Sequence, residues 1–130
     1  MMNGKGIRIL SIADDDGIRF SRELVLRQEG YEVESVTSSA RFDGPWVRRF
    51  AIAVLCHSVD SSRAAEIAES LRRRNPSIAV VRVHAIRSRQ ELFYDVDCEV
   101  LPGPDQLLNS LQDLALRIGS RDEPQARKRA

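Results

Sequence analysis

Residues able to do chemistry gather at the ends of short apolar runs. Cys56-His57-Ser58 follows Ala51-Ile52-Ala53-Val54-Leu55, Asp14-Asp15-Asp16 follows the run from Ile7 to Ala13, and His84 closes the run from Ile78 to Val83. Thiolate, imidazole and carboxylate are all ligands for zinc or iron, so Asp14, Asp15, Cys56 and His84 make one candidate metal set. The same groups admit thiol chemistry in which His84 activates Cys56. His57 is a poorer base for that role, because adjacent strand residues point to opposite faces. Against both readings, no tight ligand pair such as CxxC or HxxxH occurs, and cysteine in an apolar strand is commonly buried and inert. The acidic trio alone could hold a divalent cation, although a solvated turn at a helix entry is the plainer reading.

These residues matter only if the elements bring them together. Ile7–Ile12 reads as a strand rich in branched residues, and the segment from Ile18 to Glu29 as a helix stopped by Gly30, with Ile18, Leu24 and Val25 available to face a core. Tyr31–Val36 alternates as a second strand. From Thr37 to Phe50 the pattern weakens: Ser38-Ser39-Ala40 could start a helix, Gly44-Pro45 breaks or shortens it, and Trp46, Val47, Phe42 and Phe50 read as packing residues more readily than as an exposed patch. Ala51–Cys56 is continuously apolar, as in a central parallel strand. Asp60 or Ser61 then caps a helix with Ala64, Ile67, Ala68 and Leu71 on one face, closed by Arg72-Arg73-Arg74 and Asn75-Pro76. Beyond the Ile78–Val83 strand, Ser88–Tyr94 is expected to make about two helical turns and Cys98–Leu101 a brief last strand. Pro102-Gly103-Pro104 leads into a helix striped by Leu107, Leu108, Leu111, Leu114, Ala115 and Ile118.

Strand and helix thus alternate five times, which predicts an α/β fold: a five-stranded parallel sheet, doubly wound as (βα)5, in a three-layer sandwich. In such sheets the crevice lies beyond the carboxyl ends of the strands, where strand order reverses. That places Asp14, Cys56, His84 and Leu101 along one edge. A single domain is expected over residues 1–119, followed by a charged, unpatterned and disordered tail at 120–130.

Composition excludes several function classes. Twenty basic residues against nineteen acidic leave a net charge of +1, so no global field favours nucleic acid or an anionic membrane. The basic stretches Arg48-Arg49, Arg72–Arg74 and Arg127–Arg129 are short and suit solvated faces or helix ends. No apolar run approaches the roughly 20 residues that span a bilayer, and the start lacks a signal-peptide core, so a cytoplasmic location is expected. Two cysteines are too few for a disulfide framework.

Arg8-Ile9-Leu10-Ser11-Ile12-Ala13-Asp14-Asp15 followed by Ile18-Arg19, then Gly30-Tyr31-Glu32-Val33, the apolar run into Cys56, and Leu101-Pro102 before the last helix together resemble the receiver domain of bacterial response regulators. The likeness spans roughly residues 7–118 and implies the same receiver, flavodoxin-like fold. It also implies a set of positions: an acidic pair after the first strand to hold magnesium, an aspartate after the third to accept phosphate, Ser or Thr after the fourth, and Lys before Pro after the fifth. Here the acidic pair falls on Ala13 and Asp14, with Asp15 or Asp16 as stand-ins. The acceptor falls on Cys56, or on His57 if the pairing slips by one, while Asp60 reads better as a helix cap. The hydroxyl falls on His84 and the lysine on Leu101. Only Asp14 remains of the five.

Phosphoryl transfer needs a positioned nucleophile and cations that neutralise developing charge, and Leu101 supplies none. One dependable carboxylate is a poor magnesium site. The resemblance therefore implies a degenerate receiver that is not an enzyme, carries no cofactor, magnesium included, and signals by protein contact. Its partner is expected to be a protein, with homodimerisation through the face from the fourth strand to the last helix. The alternative is a small metal- or thiol-dependent sensor or enzyme using Asp14, Cys56 and His84.

Overall fold

A computed structural model describes residues 6–84, 94–99 and 105–129. Its order is β1 (Arg8–Ile12), α1 (Asp16–Gln28), β2 (Glu32–Val36), a 3-10 helix (Pro45–Arg49), β3 (Ile52–Leu55), α2 (Ser61–Arg74), β4 (Ala79–His84), β5 (Val96–Glu99) and α3 (Asp105–Arg129). All strand pairs are parallel, in the order β2-β1-β3-β4-β5. The chain leaves β1 toward one edge, returns, and continues on the other side through β3, so strand order reverses between β1 and β3.

The two faces of the sheet bury different helices. Ile9, Ile52, Val54, Cys56, Val81 and Val83 lie under α1 and α3, against Leu26, Leu107, Leu111 and Leu114. Leu10, Ile12, Ala53, Leu55 and Val80 lie under α2 and the 3-10 segment, against Ile67, Leu71, Val47 and Phe50. Each fully buried aliphatic side chain in these layers contributes about 1.5–3 kcal/mol.

Local chemistry sets the ends of the elements. Asp15 caps α1 by accepting from the Ile18 N–H at 2.9 Å, and Gly30, at φ 94°, supplies the left-handed residue beyond its C-terminus. The inward face of α1 runs through Ile18, Arg22, Val25 and Leu26, an i, i+4, i+7, i+8 set. Leu24, expected inside, is 52% exposed, and Phe20 is 73% exposed. Asp60 caps α2, accepting from the Ser62 and Arg63 N–H groups. At the other end, Asn75 donates through Nδ2 to the carbonyls of Val47 (3.0 Å) and Phe50 (2.7 Å), tying α2 to the 3-10 segment.

The segment from Thr37 to Phe50 forms no α-helix. Pro45 opens the 3-10 helix, and a side chain at Gly44 would meet the Trp46 ring at 2.9 Å. Phe42, Trp46 and Phe50 form a packed aromatic group with centroids 6.0 and 5.9 Å apart. Three further boundaries differ from the sequence reading. His84 is the last residue of β4 instead of following it, and β5 begins at Val96, because Asp95 anchors its entry by accepting from the Val80 N–H at 2.7 Å and pairing with Arg72 at 3.1 Å. The last helix does not stop at Gly119 but runs to Arg129, where the sequence suggested a disordered tail; Glu123, Gln125, Ala126, Arg127 and Lys128 are good helix formers that extend an established helix. The expected short helix at 88–94 lies outside the described residues except for Tyr94, as do Leu101 and the Pro102–Pro104 entry to α3.

Candidate functional site

β1, β3 and β4 end side by side. The Cys56 N–H donates to the Ile12 carbonyl at 2.9 Å, continuing the β1–β3 ladder, and Leu55 pairs with Arg82.

At the end of β1, Asp14 and Asp15 do different work. The Asp14 carboxylate accepts from the Ser38 N–H at 2.7 Å and the Ser38 hydroxyl at 2.8 Å, which holds it toward the segment after β2. Asp15 is committed to the α1 cap, and Asp16 pairs with Arg19 at 2.6 Å. The Asp14 and Asp15 N–H groups donate to the Ser58 hydroxyl at 2.9 and 3.3 Å, so β3's exit loop is pinned to that of β1.

Cys56 is fully buried on the α1/α3 face, and the Arg22 guanidinium donates to its sulfur at 2.8 Å. Burial pushes the thiol pKa above its ordinary 9.0, and the nearby Arg22 and Arg82 charges offset only part of this. Cys56 is therefore a neutral thiol. Arg82 is buried beneath the same turn, donating to the carbonyls of Cys56 at 2.9 Å and Val59 at 3.0 Å. His84 is also buried, its ring edge-on to Tyr94 with centroids 6.4 Å apart. His57 is exposed; its pKa lies below 6.5 because burial of part of the ring and the charges of Arg22, Arg82 and His84 outweigh the pull of Asp15.

The structure thus brings Asp14, Asp15, Cys56, His57 and His84 to one edge without converging their functional atoms. Among the described residues no three His, Cys, Asp or Glu side chains come close enough to hold a metal ion. A guanidinium on the sulfur also opposes a cation there. Three participants escaped the sequence reading: Arg22, Ser38 and Arg82. Arg82 left a trace, as a charge inside an otherwise apolar strand, where a cation must find partners. Arg22 left none, since an arginine on an amphipathic helix ordinarily faces water.

No protein-family model matches this sequence, and neither does any curated protein. Solved structures do match in fold. A receiver domain protein of the CheY-like type from Methanospirillum hungatei superposes with a TM-score of 0.73 at 22% identity, covering 88% of this chain and 98% of the other. A putative pilus assembly-related protein from Burkholderia pseudomallei gives 0.69 at 19% identity, over 89% and 92%. The response regulator TrrA of Thermotoga maritima, in its complex with the histidine kinase ThkA, gives 0.64 at 17% identity, over 83% and 97%. The fold is that of the response-regulator receiver domains. Among the described residues no helix is long and apolar enough to cross a membrane.

Proposed function

We propose that this chain is an atypical receiver domain that acts in two-component-like signal transduction through protein contact, independently of aspartyl phosphorylation. The observation that carries this reading is the 2.8 Å contact between Arg22 and the buried Cys56 sulfur at the carboxyl end of β3. A receiver needs a carboxylate nucleophile there, and a neutral thiol sealed under a guanidinium cannot form an acyl phosphate. The surroundings agree: Asp14 is occupied by Ser38, His84 replaces a hydroxyl, and Leu101 carries no charge. Such a domain is not an enzyme and needs no magnesium.

TrrA is known in complex with a histidine kinase, which supports a protein partner for a domain of this fold. The side of β4, β5 and α3 suits a protein contact, including a second copy. Leu116 is 65% exposed there, beside a groove of about 710 Å3 lined by Ile78, Ala79, Leu114 and Arg117. Residues 1–119 would constitute the domain, in the cytoplasm. The rival thiol- or metal-dependent reading requires a reachable sulfur, which burial of Cys56 disfavours.

Incubation with a small-molecule phosphodonor and magnesium, followed by intact mass, tests the proposal. The mass should not change. A stoichiometric, hydroxylamine-labile adduct of one phosphoryl group would overturn it.

A further inference from the structure

Three large apolar side chains are exposed among the described residues, and two of them, Phe20 and Leu24, lie one turn apart on α1. Neither belongs to the core, which α1 meets through Ile18 and Leu26. Beside Phe20 a groove of about 460 Å3 opens between α1 and the edge strand β2, where Gly17 and Ser35 leave room for an aromatic ring. A single exposed apolar residue is ordinary, but two neighbours bordering a groove mark a contact surface.

The charges beside them say what covers it. Asp16, Arg19, Glu23 and Arg27 run along the same side of α1 as acid, base, acid, base, held as the pairs Asp16–Arg19 and Glu23–Arg27. From the other end the row is base, acid, base, acid. A second α1 laid antiparallel therefore sets Asp16 opposite Arg27 and Arg19 opposite Glu23, with the intrahelical pairs intact. A two-fold axis perpendicular to the helices also keeps each flank against its own counterpart, so the apolar flank meets the apolar flank. A parallel two-fold copy would set the apolar flank against the charged one.

We propose that this face of α1 binds a second copy of the chain in an antiparallel, two-fold arrangement, the Phe20 ring of each copy entering the groove of the other and meeting its Leu24. Such a contact is isologous: each copy offers both knob and hole, so it closes at two and does not propagate. It lies toward β2, at the sheet edge opposite β5, and is therefore separate from the β4, β5 and α3 side named above. It holds whether or not the chain is phosphorylated.

Sedimentation velocity of the full chain at low salt, over a concentration series reaching about 1 mM, is the test. A reversible monomer–dimer equilibrium is expected, weaker than in stable complexes that bury about 1,600 Å2, because only four apolar side chains form its centre. Phe20→Glu should raise the dissociation constant at least about tenfold, and because Phe20 is exposed the fold is kept. Asp16→Lys and Arg27→Glu should each weaken the dimer at least about threefold. An equimolar mixture of those two variants should dimerise as well as the wild-type chain, since the mixed dimer again sets unlike charges across the axis. A mixture no tighter than either variant alone overturns the antiparallel arrangement. Should Arg27→Glu not fold, for Arg27 also donates to the Val33 carbonyl at 2.8 Å, Phe20→Glu decides alone. A chain still monomeric at about 1 mM overturns the proposal, as does a dimer that Phe20→Glu leaves intact. If Leu116→Asp dissociates that dimer, the contact belongs to the β4, β5 and α3 side, and this inference falls while that reading stands.

Discussion

Asp14 and Ser38 are joined twice, the serine giving both its N–H (2.7 Å) and its hydroxyl (2.8 Å) to one carboxylate. The Asp14 carboxylate thereby clamps β1 to the segment after β2. Ser38→Ala should cost about 1 kcal/mol, and Asp14→Ala, which loses both bonds, about 2 kcal/mol. Urea unfolding should show both as shifted midpoints with an unchanged slope.

Arg82 is the larger structural cation. Replacing it with methionine keeps much of the buried stem but leaves the Cys56 and Val59 carbonyls without their donor. A loss of about 3 kcal/mol is expected, with Arg82→Lys recovering only part because an ammonium does not reproduce the fork. Chemical denaturation measures both.

Cys56 predicts behaviour at alkaline pH. With its folded pKa raised by burial, the unfolded chain loses the thiol proton first, so stability is intact below about pH 9.0 and declines as pH rises beyond it. Tyr31, raised above 10.0 by burial and by Glu29, declines in the same direction but later. Cys56→Ala should remove the earlier part of the slope. A disulfide reagent at neutral pH should modify the wild-type thiol only as fast as the protein opens.

His57 has the opposite sign. Its folded pKa lies below 6.5, so as pH falls the unfolded chain takes the proton first and stability declines from about pH 6.5 downward. His57→Gln should flatten that decline. With His57 retained, Arg22→Gln should raise its pKa measured by NMR above that in the wild-type protein, because one of the charges depressing it is gone.

The sheet was legible because its strands carry continuous or alternating branched residues and its crossovers carry i, i+3, i+4 stripes; Ile67, Ala68 and Leu71 lie where the spacing put them. The exposure of Leu24 was not, because Leu24, Val25 and Leu26 are consecutive and only packing decides which face is inside. Thr37–Phe50 resisted for a different reason. Its shape depends on Asn75 and Arg63, which reach it from α2. At the edge, the sequence identified which strand ends meet but not what holds each side chain. Arg22 reaches Cys56 across 34 positions, and no local pattern encodes that contact.

Trp46 is the only tryptophan in the chain, and it sits at the end of a relay that begins at the edge. Ser38, which grips Asp14, gives its carbonyl to Arg63 at 2.6 Å; Arg63 lies over the Phe42 ring, and Phe42 touches the indole. Four contacts in series therefore join Asp14 to an intrinsic fluorophore. The protein comes with its own optical gauge of that corner, readable by emission without a label.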